Sequence, residues 1–339
     1  MEEMEEQEEE FDIETIDKED MYGVLKNFPK QMQEAAKLGK DVKITDKIDN
    51  IIITGMGGSA LPGEILKSFF YSTSIPIFVN KGYTLPEFTN MRSLVFVISY
   101  SGNTEETIYA YRNALRKGAR IVAISSGGKL EELSTKQRQI FIKVPSGIQP
   151  RSGYAYLFFP ILNVLMNSKI IGDVSHEIEM TMNILKKPIF EERAKEIARK
   201  LEGKIPLIYS SDRMFAVAYK WKINFNENSK VHAFCNMFPE LNHNEMVGYT
   251  TIEGDYHVIL VKDEDDRMRV KKRFEITKDI IKKKGIPVTE IMLKGSSTLT
   301  KIFSAIYIGD WASYYLALKY KVDPTPVKAV EDFKKRLKE

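Results

Sequence analysis

Asn50-Ile51-Ile52-Ile53-Thr54-Gly55-Met56-Gly57-Gly58-Ser59-Ala60 is the stretch on which the fold turns. An unbroken β-branched run with no polar alternation reads as a strand covered on both faces. Gly55 ends it, and a glycine-rich turn opens a helical pattern over 59–70. Strand, glycine turn and helix together form the unit of a parallel α/β sheet, and the chain repeats it. Further strands read at 75–79, 94–99, 120–125 and 139–144, with helices over 105–117, near Leu130 and after Arg151. Residues 176–203, rich in Glu, Lys, Ile and Leu, read as connecting helices. The alternation then restarts, with strands at 205–210, 230–234, 256–261 and 288–293 and helices at 215–226, 267–284 and 299–319. Asp323-Pro324-Thr325-Pro326 interrupts the pattern before a last helix over 327–338. Toward the N-terminus, Met21, Val24, Leu25, Phe28, Met32 and Ala35 fall at helical spacing. The expected fold is therefore α/β, two tandem domains with parallel sheets covered by helices on both faces. The expected boundaries are an acidic, flexible tail at 1–17, a first domain at 18–172, connecting helices at 173–203, a second domain at 204–322 and a C-terminal helix at 323–339.

Composition narrows the function classes. The 339 residues are 43% hydrophobic and 29% charged with a formal net charge of +3, which suits two packed cores and gives no basic field for nucleic acid or an anionic membrane. No apolar run reaches the length of a membrane span. Met-Glu-Glu-Met-Glu-Glu is the opposite of a secretory leader, so a cytoplasmic location is expected. The single cysteine, Cys235, excludes an internal disulfide; inside the apolar run 231–238 it reads as a small buried thiol. The four histidines (His176, His232, His243 and His257) are scattered, and no metal-ligand spacing is present, so no metal or other cofactor is expected.

Two turns carry chemistry. In Gly55-Met56-Gly57-Gly58-Ser59 the glycines let backbone approach a ligand, and N–H groups at the helix start face an anion. The spacing also satisfies G-x-G-x-x-A, so a dinucleotide is considered; that reading requires an acid at the end of the second strand, where Ile77-Phe78-Val79-Asn80-Lys81 has none. A tight turn without a ligand is the plain alternative. The second turn, Ser99-Tyr100-Ser101-Gly102-Asn103-Thr104, sets three hydroxyls and a glycine between a strand and a helix. A helix cap needs one hydroxyl and leaves Ser99 and Ser101 unexplained. Gly57, Gly58, Ser59, Ser99, Ser101 and Thr104 are the expected phosphate-binding residues.

These turns resemble the phosphate loops of sugar isomerase (SIS) domains, whose architecture is flavodoxin-like, and the tandem layout resembles phosphoglucose isomerase. The chain is most similar to the archaeal bifunctional phosphoglucose/phosphomannose isomerases. The likeness runs in order through Pro150-Arg151, Asn224-Phe225-Asn226-Glu227-Asn228-Ser229-Lys230, Pro239-Glu240-Leu241-Asn242-His243-Asn244 and Lys334-Lys335-Arg336-Leu337. It implies reversible isomerisation of glucose 6-phosphate and mannose 6-phosphate to fructose 6-phosphate through a cis-enediol, without metal. It implies Glu227 as the base, Arg151 facing the enediolate, Lys334 as a catalytic-site lysine, and His243 opening the sugar ring from a neighbouring subunit, hence a homodimer. From the residues alone, Glu227 reads equally as a solvated or capping acid, His243 as a solvated loop histidine, and Arg151 as a surface charge at a helix start. Lys334 is one of a cluster with Lys335 and Lys338. Glu240 is a second candidate base. A threonine that the family places near the last helix matches Val327 here, with Thr325 two residues earlier. Another SIS sugar-phosphate isomerase and a non-catalytic sugar-phosphate-binding module are the competing readings.

Overall fold

The computed structural model describes residues 13–337. The first half is built from α1 (Ile13–Ile16), α2 (Met21–Lys26), α3 (Phe28–Ala35), β1 (Asn50–Thr54), α4 (Leu61–Phe69), β2 (Ile77–Asn80), β3 (Ser93–Ile98), α5 (Glu105–Arg116), β4 (Arg120–Ser125), α6 (Gly128–Lys136), β5 (Ile140–Lys143) and α7 (Tyr154–Asn167). The second is built from α8 (Ser175–Leu185), α9 (Ile189–Leu201), β6 (Ile205–Ser211), α10 (Phe215–Glu227), β7 (Phe234–Phe238), β8 (Tyr256–Asp263), α11 (Met268–Lys283), β9 (Val288–Leu293), α12 (Thr298–Lys319) and α13 (Lys328–Arg336).

Each half holds a wholly parallel sheet, β2-β1-β3-β4-β5 in the first and β7-β6-β8-β9 in the second. The isoleucine run of β1 pairs with both neighbours, Ile52 against Phe78 and Val95, and is fully buried. The strand order reverses between β1 and β3, and again between β6 and β8. Such switch points open a crevice at the carboxyl ends of the strands. Two apolar helices, α7 and α12, are buried over most of their length and meet where Tyr154, Phe158 and Phe159 pack on Phe303. A single hydrophobic cluster therefore extends from Met21 to Leu318 and binds both halves into one core. α9, in the segment expected only to connect, buries Ala194, Ile197, Ala198 and Leu201 and packs along α12.

Three expectations are corrected. The strand expected at 230–234 runs from Phe234 to Phe238. Lys230 has a left-handed φ of 59°, and residue 231 is occupied in closing α10: Val231 N bonds Phe225 O and Val231 O accepts from Asn226 Nδ2. Pairing with β6 can begin only at Phe234 against Leu207. The helical spacing from Met21 to Ala35 belongs to two helices, because Pro29 begins a new one at α3. The flexible acidic tail does not extend to residue 17. Residues 13–16 form α1, and buried Asp17 accepts from Met21 N, Tyr22 N and Tyr314 Oη at 2.8, 2.8 and 3.1 Å. The rest of that expectation, residues 1–12, lies outside the described residues.

Candidate active site

The turns after β1 and β3 meet at the first switch point. Gly57–Ser59 forms one 3-10 turn leading into α4; Gly57 has φ 52°, and the preceding Met56 offers no capping side chain. A Cβ on Gly58 would lie 2.8 Å from Arg151 N and 2.9 Å from Arg151 Cα, so only glycine lets this turn rest against residue 151. Across the crevice, Thr104 precedes α5 but makes no side-chain cap bond; its Oγ1 lies 2.9 Å from Ser99 Oγ. The cap explanation therefore fails, and α5 begins without a side-chain acceptor for its first-turn N–H groups.

The hydroxyls have a shared pattern. Ser59 Oγ accepts from Tyr100 N at 3.1 Å, Ser101 Oγ from Asn103 N at 3.3 Å, and Ser99 Oγ from Thr104 N at 3.4 Å. A hydroxyl that accepts from backbone keeps its own O–H to donate. Ser59 thus ties the two turns together and still has a proton for an anion. Ser59 and Ser99 are buried, Thr104 is half-buried and Ser101 is exposed. A turn the sequence reading passed over, Ser125–Gly128, buttresses the cradle. Ser126 Oγ donates to Tyr100 O at 2.7 Å, and Gly102 (φ 70°) packs so tightly that a Cβ would fall 1.7 Å from Gly127 O. At the end of β2, where a dinucleotide fold places its ribose acid, Asn80 donates to Thr54 Oγ1 and Gly82 O.

Arg151 is not the surface charge its position suggested. It lies three residues ahead of α7, is 1% exposed, and its guanidinium is fully engaged. Nε donates to Asn228 Oδ1; Nη2 donates to Pro324 O at 2.8 Å and Thr325 O at 2.9 Å; Nη1 reaches Gln149 Oε1 at 3.4 Å and Glu227 Oε2 at 3.2 Å. Burial pulls its pKa down, and Glu227 opposes that. Glu227 closes α10 and leaves about a third of its side chain, 32%, open to solvent. It lines an apolar cleft of about 510 Å³ with Lys230, Asp323, Pro326, Val327 and Val330. Lys230 is exposed along its length, but its Nζ packs on Glu227 O and Pro324 O. Burial first, and then Arg151, lower that ammonium to about 8. Val327 faces this cleft, whereas Thr325 is buried and lines a separate cavity with Gln149 and Ser152.

Beneath this pair lies a polar network that no local sequence pattern announced. Asp310, in the apolar α12, accepts from Lys220 Nζ at 2.7 Å, Tyr154 Oη at 2.9 Å and Asn224 Nδ2. Both charges are buried, and Lys220 is held below its ordinary pKa by that burial, against the pull of Asp310. Ser313 Oγ donates to Asp310 O at 2.9 Å and accepts from Asn228 Nδ2 at 2.9 Å. Asn228 thus fixes Arg151 on one side and hangs from α12 on the other. The one available signal was Asp310 itself, an acid inside an otherwise apolar helical run.

The remaining expected residues are not gathered here. His243 is exposed at the end of the 3-10 turn Glu240–His243 beyond β7, and no hydrogen bond among the described residues joins it to Glu227 or Arg151. Its neighbours are held, however: Asn242 donates to Thr277 Oγ1 at 2.9 Å and accepts from Arg273 Nη1 at 3.1 Å. Glu240 is exposed and accepts from Asn244 Nδ2 at 2.7 Å. Lys334 lies on the exposed α13, whose earlier residue Val330 reaches the cleft. Cys235 is half-buried in β7, and burial raises its thiol to about 11, which makes it a poor nucleophile. Among the described residues no group of three or more His, Cys, Asp or Glu could hold a metal ion, and no helix is long and apolar enough to cross a membrane.

Paired glycine- and hydroxyl-rich turns at one switch point and a carboxylate held against a buried arginine place the chain among tandem α/β proteins with a polar site at the carboxyl ends of their strands. Comparison with known proteins agrees. A family profile described as SIS domain matches residues 43–146, and one described as bacterial phospho-glucose isomerase C-terminal SIS domain matches residues 190–337. The bifunctional phosphoglucose/phosphomannose isomerase of Caldicellulosiruptor bescii is 41% identical over 94% of this chain and 99% of its own. That of Thermoplasma acidophilum is 38% identical over 86% and 91%. Among solved structures, a hypothetical protein of Thermus thermophilus superposes with a TM-score of 0.73 at 15% identity, over 94% of this chain and 91% of that one, a likeness of fold alone. The chain belongs to the SIS-domain family of bifunctional phosphoglucose/phosphomannose isomerases.

Proposed function

We propose that this chain interconverts glucose 6-phosphate, mannose 6-phosphate and fructose 6-phosphate by proton transfer through a cis-enediol, with Glu227 as the shuttle. The observation that carries the reading is the pairing of Glu227, partly open to the cleft, with the buried guanidinium of Arg151 at 3.2 Å. A base for carbon needs access to substrate; the charge that steadies an enediolate needs to be fixed in place beforehand.

The 6-phosphate sits on the Gly57 and Gly58 amides, the start of α5 and the hydroxyls of Ser59, Ser99, Ser101 and Thr104. His243 reaches the ring oxygen from the neighbouring subunit of a homodimer; its exposure on a braced turn, apart from its own Glu227, supports that role. With the ring open, Glu227 takes the proton from C2. The C2–H electrons form the C1–C2 double bond, and the C1 carbonyl oxygen takes the charge and then a proton. The C2 hydroxyl then releases its proton, balancing the one taken up at the C1 oxygen, and as it becomes a carbonyl the C1–C2 electrons take up the proton that Glu227 returns to C1. In the reverse direction C2 of the enediol is planar, and protonation on its two faces yields glucose 6-phosphate or mannose 6-phosphate. Arg151 steadies the enediolate, and Lys334 or the nearer Lys230 adds positive charge at the cleft.

The test is a coupled assay on glucose 6-phosphate and mannose 6-phosphate with excess chelator, repeated with Glu227→Gln. Both substrates turn over in the unaltered protein with chelator present. The variant loses about three orders of magnitude or more in kcat while still binding substrate. Near-normal turnover by Glu227→Gln moves the base elsewhere, first to Glu240.

A further inference from the structure

The second switch point, between β6 and β8, is topologically where the first domain keeps its phosphate cradle. The turns there are unlike the first pair. After β6 comes Asp212-Arg213, and after β8 comes Glu264-Asp265-Asp266-Arg267, leading into α11. They border a cavity of about 620 Å³, within the range of small-molecule sites, which four arginines line: Arg213, Arg267, Arg269 and Arg273.

The acids in the same wall offset them only in part: Asp265 is taken by a lysine, which leaves Asp212 and Asp266 against four guanidinium groups. Asp265 is bound to Lys301 at 2.6 Å, Asp212 accepts from Tyr71 Oη at 2.6 Å, and Asp266 accepts from Asp263 N at 3.1 Å. Arg213 reaches Asp263 Oδ2 only at 3.6 Å and otherwise donates to Asp265 O and Thr298 Oγ1, both at 3.3 Å. The side chains of Arg267 and Arg269, both exposed, form no hydrogen bond or ion pair among the described residues. They flank the start of α11, which has neither a capping side chain nor an acid in its first turn. Two unpaired arginines beside an uncapped helix start, facing two partly engaged ones, are an arrangement that a single carboxylate would not satisfy. Guanidinium forks and helix N–H groups favour phosphate oxygens. Tyr71 and Phe69 add an apolar wall.

We infer that this cavity is a second ligand site, distinct from the catalytic cradle, for a small molecule carrying two or more phosphate groups. It also communicates with the catalytic machinery. Pro239, which begins the turn bearing His243, lines the cavity, and Arg273 is one of the two residues, with Thr277, that hold Asn242 beside His243. A phosphate drawing on Arg273 competes with Asn242 for it and loosens or re-aims that turn.

The experiment uses the full chain in 0.15 M KCl, about an 8 Å Debye length, with the catalytic site saturated by the equilibrium mixture of hexose 6-phosphates. Inorganic pyrophosphate, fructose 1,6-bisphosphate and ADP are titrated calorimetrically. At least one binds saturably, and which one identifies the body attached to the phosphates. Arg267→Gln/Arg269→Gln weakens that binding at least tenfold while leaving the isomerase rate without added anion unchanged. The bound anion alters the isomerase rate of the unaltered protein and not of the double variant. No saturable binding of any of the three, or binding unchanged in the double variant, overturns the site. A rate insensitive to bound anion overturns the link to His243.

Discussion

Asp310→Asn is the perturbation whose consequence follows most directly from the structure. Asp310 is the carboxylate facing Lys220, whose side chain is 1% exposed, and the change keeps the shape while removing the charge. An ammonium left buried without its partner costs about 3–5 kcal/mol. At about 2.1 cal/mol/K per residue the unfolding entropy of a chain this long is roughly 0.7 kcal/mol/K, so the melting temperature falls by about 4–7 °C. The sign with pH follows from Lys220. Burial already holds it below its ordinary value of 10.5, and Asp310 opposes that shift. Without Asp310 the folded-state pKa drops further. Between that lowered value and 10.5 the unfolded chain binds more protons than the folded one, so stability rises with pH. The deficit of the variant is therefore largest at neutral pH and shrinks toward pH 10. Calorimetry or thermal melts from pH 6 to 10 measure it. Lys220→Met/Asp310→Leu is the control: replacing both charges with apolar groups is expected to restore most of the loss. A deficit independent of pH, together with a double variant as unstable as the single one, would refute the buried-pair reasoning.

Other outcomes follow from the same geometry. Gly58→Ala places a Cβ 2.8 Å from Arg151 N and displaces the turn, so KM for hexose 6-phosphates rises at least about tenfold, equivalent to ~1.4 kcal/mol; an unchanged KM in steady-state assays removes this turn from the phosphate site. With Lys230 titrating at about 8, its positive charge in the cleft is complete below that pH and lost above it, so kcat/KM declines on the alkaline side of about 8. Lys230→Gln lowers the plateau and abolishes that limb; a limb that survives belongs to another group. Co-expressed Glu227→Gln and His243→Ala chains form mixed dimers with one intact site, and recover about a quarter of the unaltered activity if each dimer pairs at random. Recovery no greater than the sum of the two inactive parents places His243 in its own subunit's site.

Much of the scaffold was legible because its signals are local. A β-branched run such as Ile51-Ile52-Ile53 has few alternatives to a buried strand, and a glycine after it marks the turn wherever the chain goes next. The cradle was legible for the same reason: its glycines and hydroxyls are contiguous in sequence, and the sheet only had to bring two such segments side by side. β7 was misplaced because its start depends on a distant decision. Val231 is apolar and β-prone, but its carbonyl is taken by Asn226, and the ladder waits until Phe234 meets Leu207.

The sequence by itself determined the α/β class, the two-fold repetition of strand, turn and helix, and, through resemblance, Glu227 and Arg151 as candidates. Only the tertiary structure decided what surrounds them. Arg151 became a buried charge because Asn228, Pro324, Thr325 and Glu227 converge on it from segments more than 70 residues away. Lys220 and Asp310, 90 residues apart by number, form an ion pair only because α10 and α12 pack together in the common core. The arginines of the second crevice likewise look solvated in sequence and share one cavity only once β6 and β8 lie side by side. Pattern along a chain reports which face of an element is buried; it carries no information on which charges that burial will bring together.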